Sequence, residues 1–242
     1  MVDDFASLTV DQYAQEAALT DQRKGPGTVG FTMLGLFGET GSLLAEAKKK
    51  QRDAASYLGY APAVTEEIGD VLWYLAAIAR RHRLSLSDIA AAARRPDVEF
   101  VAGNNAALTL HELQPAHMPQ SREPTPAFEH SLLALAGEVG LLARKVEAGD
   151  SVRHKAEIAT HLVAIMRCLI NAANDSGVTL EIAAFKNLQK IFDRWPRERD
   201  YPPPFDDGND AEEQLPRKME IDVYERTVRG QDYEFQRSRG VY

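Results

Sequence analysis

An internal repeat is the feature of this 242-residue sequence that most restricts its fold. The stretch LGLFGETGSLL (34–44) aligns with LALAGEVGLLA (133–143), and both contain an embedded Gly-Glu-x-Gly. Further along, EIGDVLWYLAAI (67–78) aligns with EIATHLVAIMRC (157–168). Any two helices rich in Ala and Leu can be aligned by chance, but two matching blocks in the same order favour a true duplication. A duplication changes how the whole fold is interpreted, so it comes before any local assignment.

Hydrophobic periodicity predicts helices almost throughout the first two hundred residues, and therefore an all-α bundle built from two repeats. The predicted helices cover residues 8–22, 31–50, 64–82, 85–95, 125–148, 152–175 and 179–194. The stretch KGPGTVG (24–30) predicts a turn, and residues 95–124 predict a long connector. We expect one helical domain over residues 1–200, with repeats at about 8–95 and 125–196.

The C-terminal region differs in composition from the helical part. Residues 201–216 are rich in Pro, Asp and Glu, which is typical of a linker. Residues 217–242 alternate apolar and polar side chains around RGQD, which predicts a β-hairpin-like appendage. Because two strands alone are marginally stable in water, this segment either packs on other structure or begins a further, truncated domain.

Composition narrows the classes of function. A formal net charge of −8 argues against binding to nucleic acid. The apolar stretches are shorter than a membrane span, and the acidic start MVDDF does not resemble a signal peptide. The single cysteine, Cys168, has no partner for an internal disulfide. We therefore expect a cytoplasmic protein that binds neither nucleic acid nor membrane.

Three acidic residues, Glu39, Glu67 and Asp70, are candidates for a single site. Glu67 and Asp70 are three residues apart, so they project from neighbouring positions of one predicted helix, beside its apolar face. Acids in the opening turns of a helix also interact favourably with its dipole, and this explanation stays open. If Gly38 and Gly41 allow another helix to approach closely, Glu39 joins the pair. Three carboxylates in an apolar setting repel one another unless they surround a hard divalent cation.

These residues resemble the MazG-like, all-α nucleoside triphosphate pyrophosphohydrolase family. GETGS (38–42) followed by EIGD (67–70) matches the order of acids in that family, DQYAQEAALT (11–20) is similar to its first helix, and NLQKIFDRWP (187–196) is similar to its closing element. The resemblance implies a helical bundle that hydrolyses a nucleoside triphosphate to the monophosphate and pyrophosphate. It also implies a Mg²⁺ cofactor, with Mn²⁺ as an alternative.

The resemblance also implies roles for individual acids. Glu39, Glu67 and Asp70 would be catalytic metal ligands. Ser42 replaces a glutamate that is a ligand in the family, and Glu46 or Glu66 would compensate for it. Mg²⁺ keeps several waters and gains ligands from substrate phosphates, so the loss of one carboxylate weakens the site without excluding the metal.

The second half offers basic residues. Lys186, Lys190 and Arg194 recur at helical spacing, and Asn187 lies beside them. Such a face is often simply solvated; if it is functional, these four residues bind the triphosphate. We then expect Lys190 or Arg194 about 10 Å from the acids, within one chain or across a homodimer. The counterpart region around Glu138 and Glu157 is expected to be closed by Leu141 and Leu142.

Two alternatives to an enzyme remain. A nucleotide-sensing module would keep the fold and the acids with weak or no catalysis. A purely structural helical adaptor would have no need of Glu39, Glu67 and Asp70 at these spacings.

Overall fold

A computed structural model describes residues 8–21, 28–95, 100, 103, 105, 107–114, 125–147, 154–194, 220–229 and 232–241. The described part is predominantly helical, as predicted. Its helices are α1 (Val10–Thr20), α2 (Thr28–Asp53), α3 (Tyr60–Arg81), α4 (Leu86–Ala93), α5 (Pro126–Glu147), α6 (Lys155–Ser176) and α7 (Leu180–Arg194). Most of the predicted turn at 24–30, much of the connector and the whole linker at 201–216 lie outside the described residues.

Local sequence explains where several helices begin and end. At the start of α1, the Thr9 side chain accepts a hydrogen bond from the backbone of Gln12, whose own side chain accepts one from the Thr9 N–H. This capping box satisfies two backbone donors that a helix start otherwise leaves free. The end of α6 is set by Gly177, which follows the helix with a φ of 69°. This is the left-handed conformation, which glycine adopts without a steric penalty.

The central helix is α3, which packs against α1, α2, α4, α6 and α7. Many of its apolar residues are buried, and Ile68, Leu72 and Leu75 are completely so. The helices that contain the repeated blocks also pair like with like, because α2 contacts α5 and α3 contacts α6. A duplicated helical hairpin would produce this pairing, although the duplication itself remains a sequence inference.

Two glycines on the α2–α3 and α3–α7 contacts allow close packing, but they are not the glycines expected from the sequence. A Cβ added at Gly69 would lie 2.5 Å from the carbonyl oxygen of Ala183 in α7, and one at Gly35 would overlap the ring of Tyr74. A Cβ built on Gly38 or Gly41 would meet no described atom within 4 Å apart from its chain neighbours and the nearby backbone of its own helix. The prediction that Gly38 and Gly41 permit close helix approach is therefore wrong, because both face outward.

The described C-terminal strands belong to a unit that is separate from the helical one. Within it, β1 (Glu220–Arg229) pairs antiparallel with β2 (Asp232–Val241), with Glu220 opposite Val241 and Arg229 opposite Asp232. The strands lie in the segment whose alternating pattern predicts a hairpin.

One described helix, α6, is long and apolar enough to cross a membrane by length and composition, contrary to the expectation that every apolar stretch is too short. Its most apolar window is 56% buried within the protein, as in a core helix. This burial is compatible with a soluble protein.

The packing at Gly69 predicts opposite effects for two matched substitutions. Gly69→Ala should lower the free energy of unfolding by about 1–3 kcal/mol, because the new methyl group meets the α7 backbone. Gly38→Ala should raise it by about 0.5–1 kcal/mol, because alanine is the better helix former and nothing described obstructs it. Urea unfolding followed by circular dichroism measures both, and shifts in the same direction would contradict this packing.

Candidate metal centre

Three carboxylates from two helices converge at one place in the structure. Glu39 of α2 and Glu67 and Asp70 of α3 each offer an oxygen, and these oxygens lie within 4.8 Å of one another. All three side chains are partly buried. We call Glu39, Glu67 and Asp70 the acidic trio. The sequence predicts this grouping, and the structure brings its members together.

The packing of α2 on α3 explains why these carboxylates meet. Leu36 and Leu43 of α2 and Val71 of α3 are fully buried, and α2 packs against α3. Glu39 lies between the two leucines along α2, and Asp70 precedes Val71 on α3. The carboxylates are therefore at the border of the apolar contact, where water only partly solvates them.

Burial and mutual repulsion make the acidic trio hard to ionise. Burial, the hydrogen bond to Glu39 and the charges of Glu39, Asp70 and Glu66 raise the pKa of Glu67 from 4.5 to about 8. Burial and the charge of Asp70 also raise the pKa of Glu39. A hydrogen bond joins the carboxyl groups of Glu67 and Glu39, while the buried Oε2 of Glu67 has no hydrogen-bond partner among the described residues. Buried polar atoms usually have a partner, so this oxygen is a candidate ligand atom for a cation.

Asp70 is held by residues of α7. Lys190 Nζ lies 2.7 Å from Oδ1 and 2.5 Å from Oδ2 of Asp70, and 3.0 Å from Oε1 of Glu66. Asn187 donates from Nδ2 to Asp70 Oδ1 at 2.6 Å and accepts from the Tyr13 hydroxyl at 3.3 Å. Burial is the largest single effect and would lower the Lys190 pKa, but the hydrogen bonds and charges of Asp70 and Glu66 together raise it. The predicted proximity of Lys190 to the acids is therefore present within a single chain.

The other predicted substrate-binding residues have different surroundings. Lys186 and Arg194 are exposed on α7, whereas Asn187 is only 3% exposed and uses its amide within the protein. Arg194 lies within electrostatic range of Tyr74, because its charge opposes the rise in the tyrosine pKa that burial, Glu39 and Asp70 produce. Asn187 is thus placed to orient Asp70, and its contact with substrate stays a prediction.

The predicted auxiliary acids are engaged elsewhere. Glu46 accepts hydrogen bonds from Lys49 and Tyr57. Burial is the largest single effect and would raise the Glu46 pKa, but these two hydrogen bonds and the charge of Lys49 together lower it. The Glu66 side chain is 57% exposed and pairs with Lys190. Neither acid belongs to the acidic trio, so the metal-ligand role predicted for them has no support in this geometry. Ser42 follows Glu39 by one turn and brings no charge.

In the second half, Glu138 and Glu157 align with Glu39 and Glu67, and each of them contacts a basic side chain. Glu138 lies 3.2 Å from His161, and Glu157 pairs with Lys145 and lies 3.3 Å from His154. The expectation that Leu141 closes this region is wrong, because Leu141 is 44% exposed. Leu142 is fully buried, as expected.

The acidic trio fits a hard divalent cation by its chemistry. It offers carboxylate oxygens, the donors that such ions prefer, and one of them is buried without a partner. Sequence reasoning missed Tyr13 and the structural role of Asn187. Tyr13 fits an apolar stripe of α1 with Val10 and Ala17, but no sequence signal indicates where its hydroxyl points.

The raised Glu67 pKa predicts a pH-dependent stability of the metal-free protein. Unfolded Glu67 ionises near 4.5, whereas the folded protein keeps it protonated up to about 8. Its stabilising contribution is therefore complete below pH 4.5 and is lost as the pH rises towards 8. Glu67→Gln removes this loss, so in EDTA the variant should melt above the wild type at pH 8, by a margin that shrinks towards pH 5.

Differential scanning calorimetry between pH 5 and 8 tests this expectation. Glu66→Gln is the control, because it removes an adjacent carboxyl that lies outside the acidic trio. A melting difference for Glu67→Gln that is constant with pH would show that Glu67 does not titrate in this interval.

Comparisons with known proteins do not place the chain in a family. No family model, no curated protein and no solved structure matches it.

Proposed function

We propose that this protein hydrolyses a nucleoside triphosphate to the nucleoside monophosphate and pyrophosphate, with Mg²⁺ or Mn²⁺ as cofactor. The observation that carries the proposal is the acidic trio with a lysine beside it: three carboxylate oxygens within 4.8 Å of one another, and Lys190 against Asp70. The resemblance of GETGS, EIGD and NLQKIFDRWP to the MazG-like family supports the same reaction. A two-repeat MazG-like bundle is the fold that goes with this proposal.

Each part of the site has a distinct task in this reaction. Glu39, Glu67 and Asp70 would hold the metal, which when bound polarises phosphoryl oxygens and lowers the pKa of a water ligand. The substrate phosphates would meet cations of α7, since Lys190 is next to the acids while Lys186 and Arg194 are exposed on the same helix. Cations so placed neutralise charge that develops during phosphoryl transfer.

Other chain residues keep the site in order. Asn187 donates a hydrogen bond to one oxygen of Asp70 and accepts one from the Tyr13 hydroxyl. These two hydrogen bonds fix the orientation of the Asp70 carboxylate. Tyr74 is partly buried near Glu39 and Asp70 and offers an aromatic face for a base. Trp73 is an unsuitable alternative, because it is 8% exposed and its indole N–H donates to Thr20.

A nucleotide-sensing module without efficient catalysis is the second candidate. It is favoured by Ser42, which supplies no charge where the family has a ligand glutamate, and by the ion pair that already neutralises Asp70. A sensor would bind metal and nucleotide but release no pyrophosphate. A cytoplasmic location, a nucleotide rather than a nucleic-acid partner and an optional homodimer belong to both candidates.

The proposed reaction predicts different results for equivalent acids of the two halves. With a panel of ribo- and deoxynucleoside triphosphates and Mg²⁺, Glu39→Gln should reduce pyrophosphate release by roughly 100-fold or more, since loss of a ligand costs at least as much as loss of its support. Glu138→Gln is the matched control and should stay within about twofold of the wild type, because Glu138 pairs with His161. Equal losses in both variants, or no pyrophosphate from the wild type with any nucleotide, would contradict the proposal.

Ser42 provides a gain-of-function prediction. Ser42→Glu should lower the Mg²⁺ concentration at half-maximal activity several-fold, because added ligand charge strengthens cation binding. Ser42→Gln has nearly the same size without the charge and should leave that concentration unchanged or higher. Activity assays across a Mg²⁺ series separate the two, and identical curves for Glu and Gln would remove Ser42 from the metal's neighbourhood.

A further inference from the structure

Lys190 occupies the Asp70 carboxylate, which a metal ion bound by the acidic trio would need as a ligand. Its ammonium group contacts both oxygens of Asp70, at 2.7 and 2.5 Å. Asp70 also accepts from Asn187 at 2.6 Å. The Asp70 carboxylate therefore already has three polar contacts from α7, whereas Glu67 Oε2 has no hydrogen-bond partner among the described residues.

Charge makes Lys190 and a divalent ion mutually exclusive on Asp70. Two cations that share both oxygens of one carboxylate repel each other strongly when water screens them only partly. The Lys190 side chain is 30% exposed and that of Asp70 is 15% exposed, so screening at this contact is incomplete. A metal bound by the acidic trio gains the full Asp70 charge only after the ammonium group moves away.

Glu66 gives Lys190 a second carboxylate partner on the more exposed side of the site. The Lys190 Nζ is 3.0 Å from Glu66, whose side chain is 57% exposed and lies outside the acidic trio. The lysine side chain is a flexible four-carbon stem with a mobile charge. Lys190 can therefore move outward and stay paired with Glu66, or meet an anion that approaches from solvent.

We propose that Lys190 is an internal counter-cation, which occupies Asp70 in the metal-free protein and is displaced towards solvent when a divalent metal binds. The inference rests on the proposed metal-binding function of the acidic trio. It adds an order of events, in which Lys190 leaves Asp70 when the metal binds. Displacement of Lys190 delivers a positive charge towards the phosphates of an incoming nucleotide. Metal binding and phosphate binding then assist each other, and by linkage the effect is reciprocal.

The test measures metal affinity without nucleotide. Mn²⁺ is titrated into the full-length wild type, Lys190→Met and Lys190→Gln, and free Mn²⁺ is followed by electron paramagnetic resonance. Both variants should bind Mn²⁺ about tenfold more tightly than the wild type, because no ammonium group has to leave Asp70. Lys186→Met is the matched control: it removes an exposed charge one turn earlier on α7 and should change the affinity less than about twofold.

The opposite result is expected for substrate. Lys190→Met should raise the KM for the triphosphate or lower kcat although it binds metal more tightly, whereas a merely structural lysine would weaken both. Equal or weaker Mn²⁺ binding by both Lys190 variants would overturn the inference, as would an equal gain in Lys186→Met. Absence of Mn²⁺ binding in all proteins would also overturn it.

The outcomes distinguish this inference from the proposed function. Tighter Mn²⁺ binding by the Lys190 variants, with no pyrophosphate from any nucleotide, would support the counter-cation and overturn the hydrolase. Normal pyrophosphate release by the wild type, with unchanged Mn²⁺ affinity in the Lys190 variants, would support the hydrolase and overturn the counter-cation.

Discussion

The close contact between α3 and α7 at Gly69 is the constraint on which the candidate site depends. Because Gly69 has no side chain, the α7 backbone around Ala183 can lie directly against α3. The next residue on α3 is Asp70, and the next turns of α7 carry Asn187 and Lys190, so one close approach creates all the polar contacts of Asp70. A bulkier residue at this position would separate the acids from the cation that neutralises them.

The second determinant is an imbalance of charge in a poorly solvated place. The acidic trio and Glu66 bring four carboxyl groups to a region where Lys190 is the cation in contact. The protein meets part of this cost by protonating Glu67, whose pKa rises to about 8, and part by the Lys190–Asp70 pair. Such an arrangement would not be expected if these residues served only to stabilise the fold, since neighbouring like charges destabilise it. A bound cation would remove the cost, which is why we connect the site with metal-dependent chemistry.

The two halves of the helical unit use related sequences differently. In the first half, the carboxyl groups of Glu39 and Glu67 lie beside each other, and the cation next to them comes from α7 of the second half. In the second half, Glu138 is next to His161 and Glu157 pairs with Lys145, so each acid has a neighbour that neutralises it or hydrogen-bonds to it. The second half instead contributes α7, and through it the lysine and asparagine on Asp70. This division of tasks is the one that the proposed composite site would need.

Much of the fold was accessible from sequence because it rests on periodicity. Apolar positions at helical spacing predicted all seven helices of the described part to within a few residues, and the i, i+3 spacing of Glu67 and Asp70 placed both on one side of α3. The sequence also predicted that, if the basic face of the second half is functional, Lys190 or Arg194 would lie near the acids, and Lys190 contacts Asp70.

Other features were decided by tertiary structure, because they depend on which helix faces which. Gly35 and Gly69 mark close contacts, whereas Gly38 and Gly41 face outward, and nothing local in the sequence separates the two kinds of glycine. Glu46 matches the helical face of Glu39 but is held by Lys49 and Tyr57. By itself, the sequence determined which residues could meet on one face of a helix. The packing of α3 against α2 and α7 decided which of them meet, because a carboxylate's pKa and partners depend on neighbours distant in the chain.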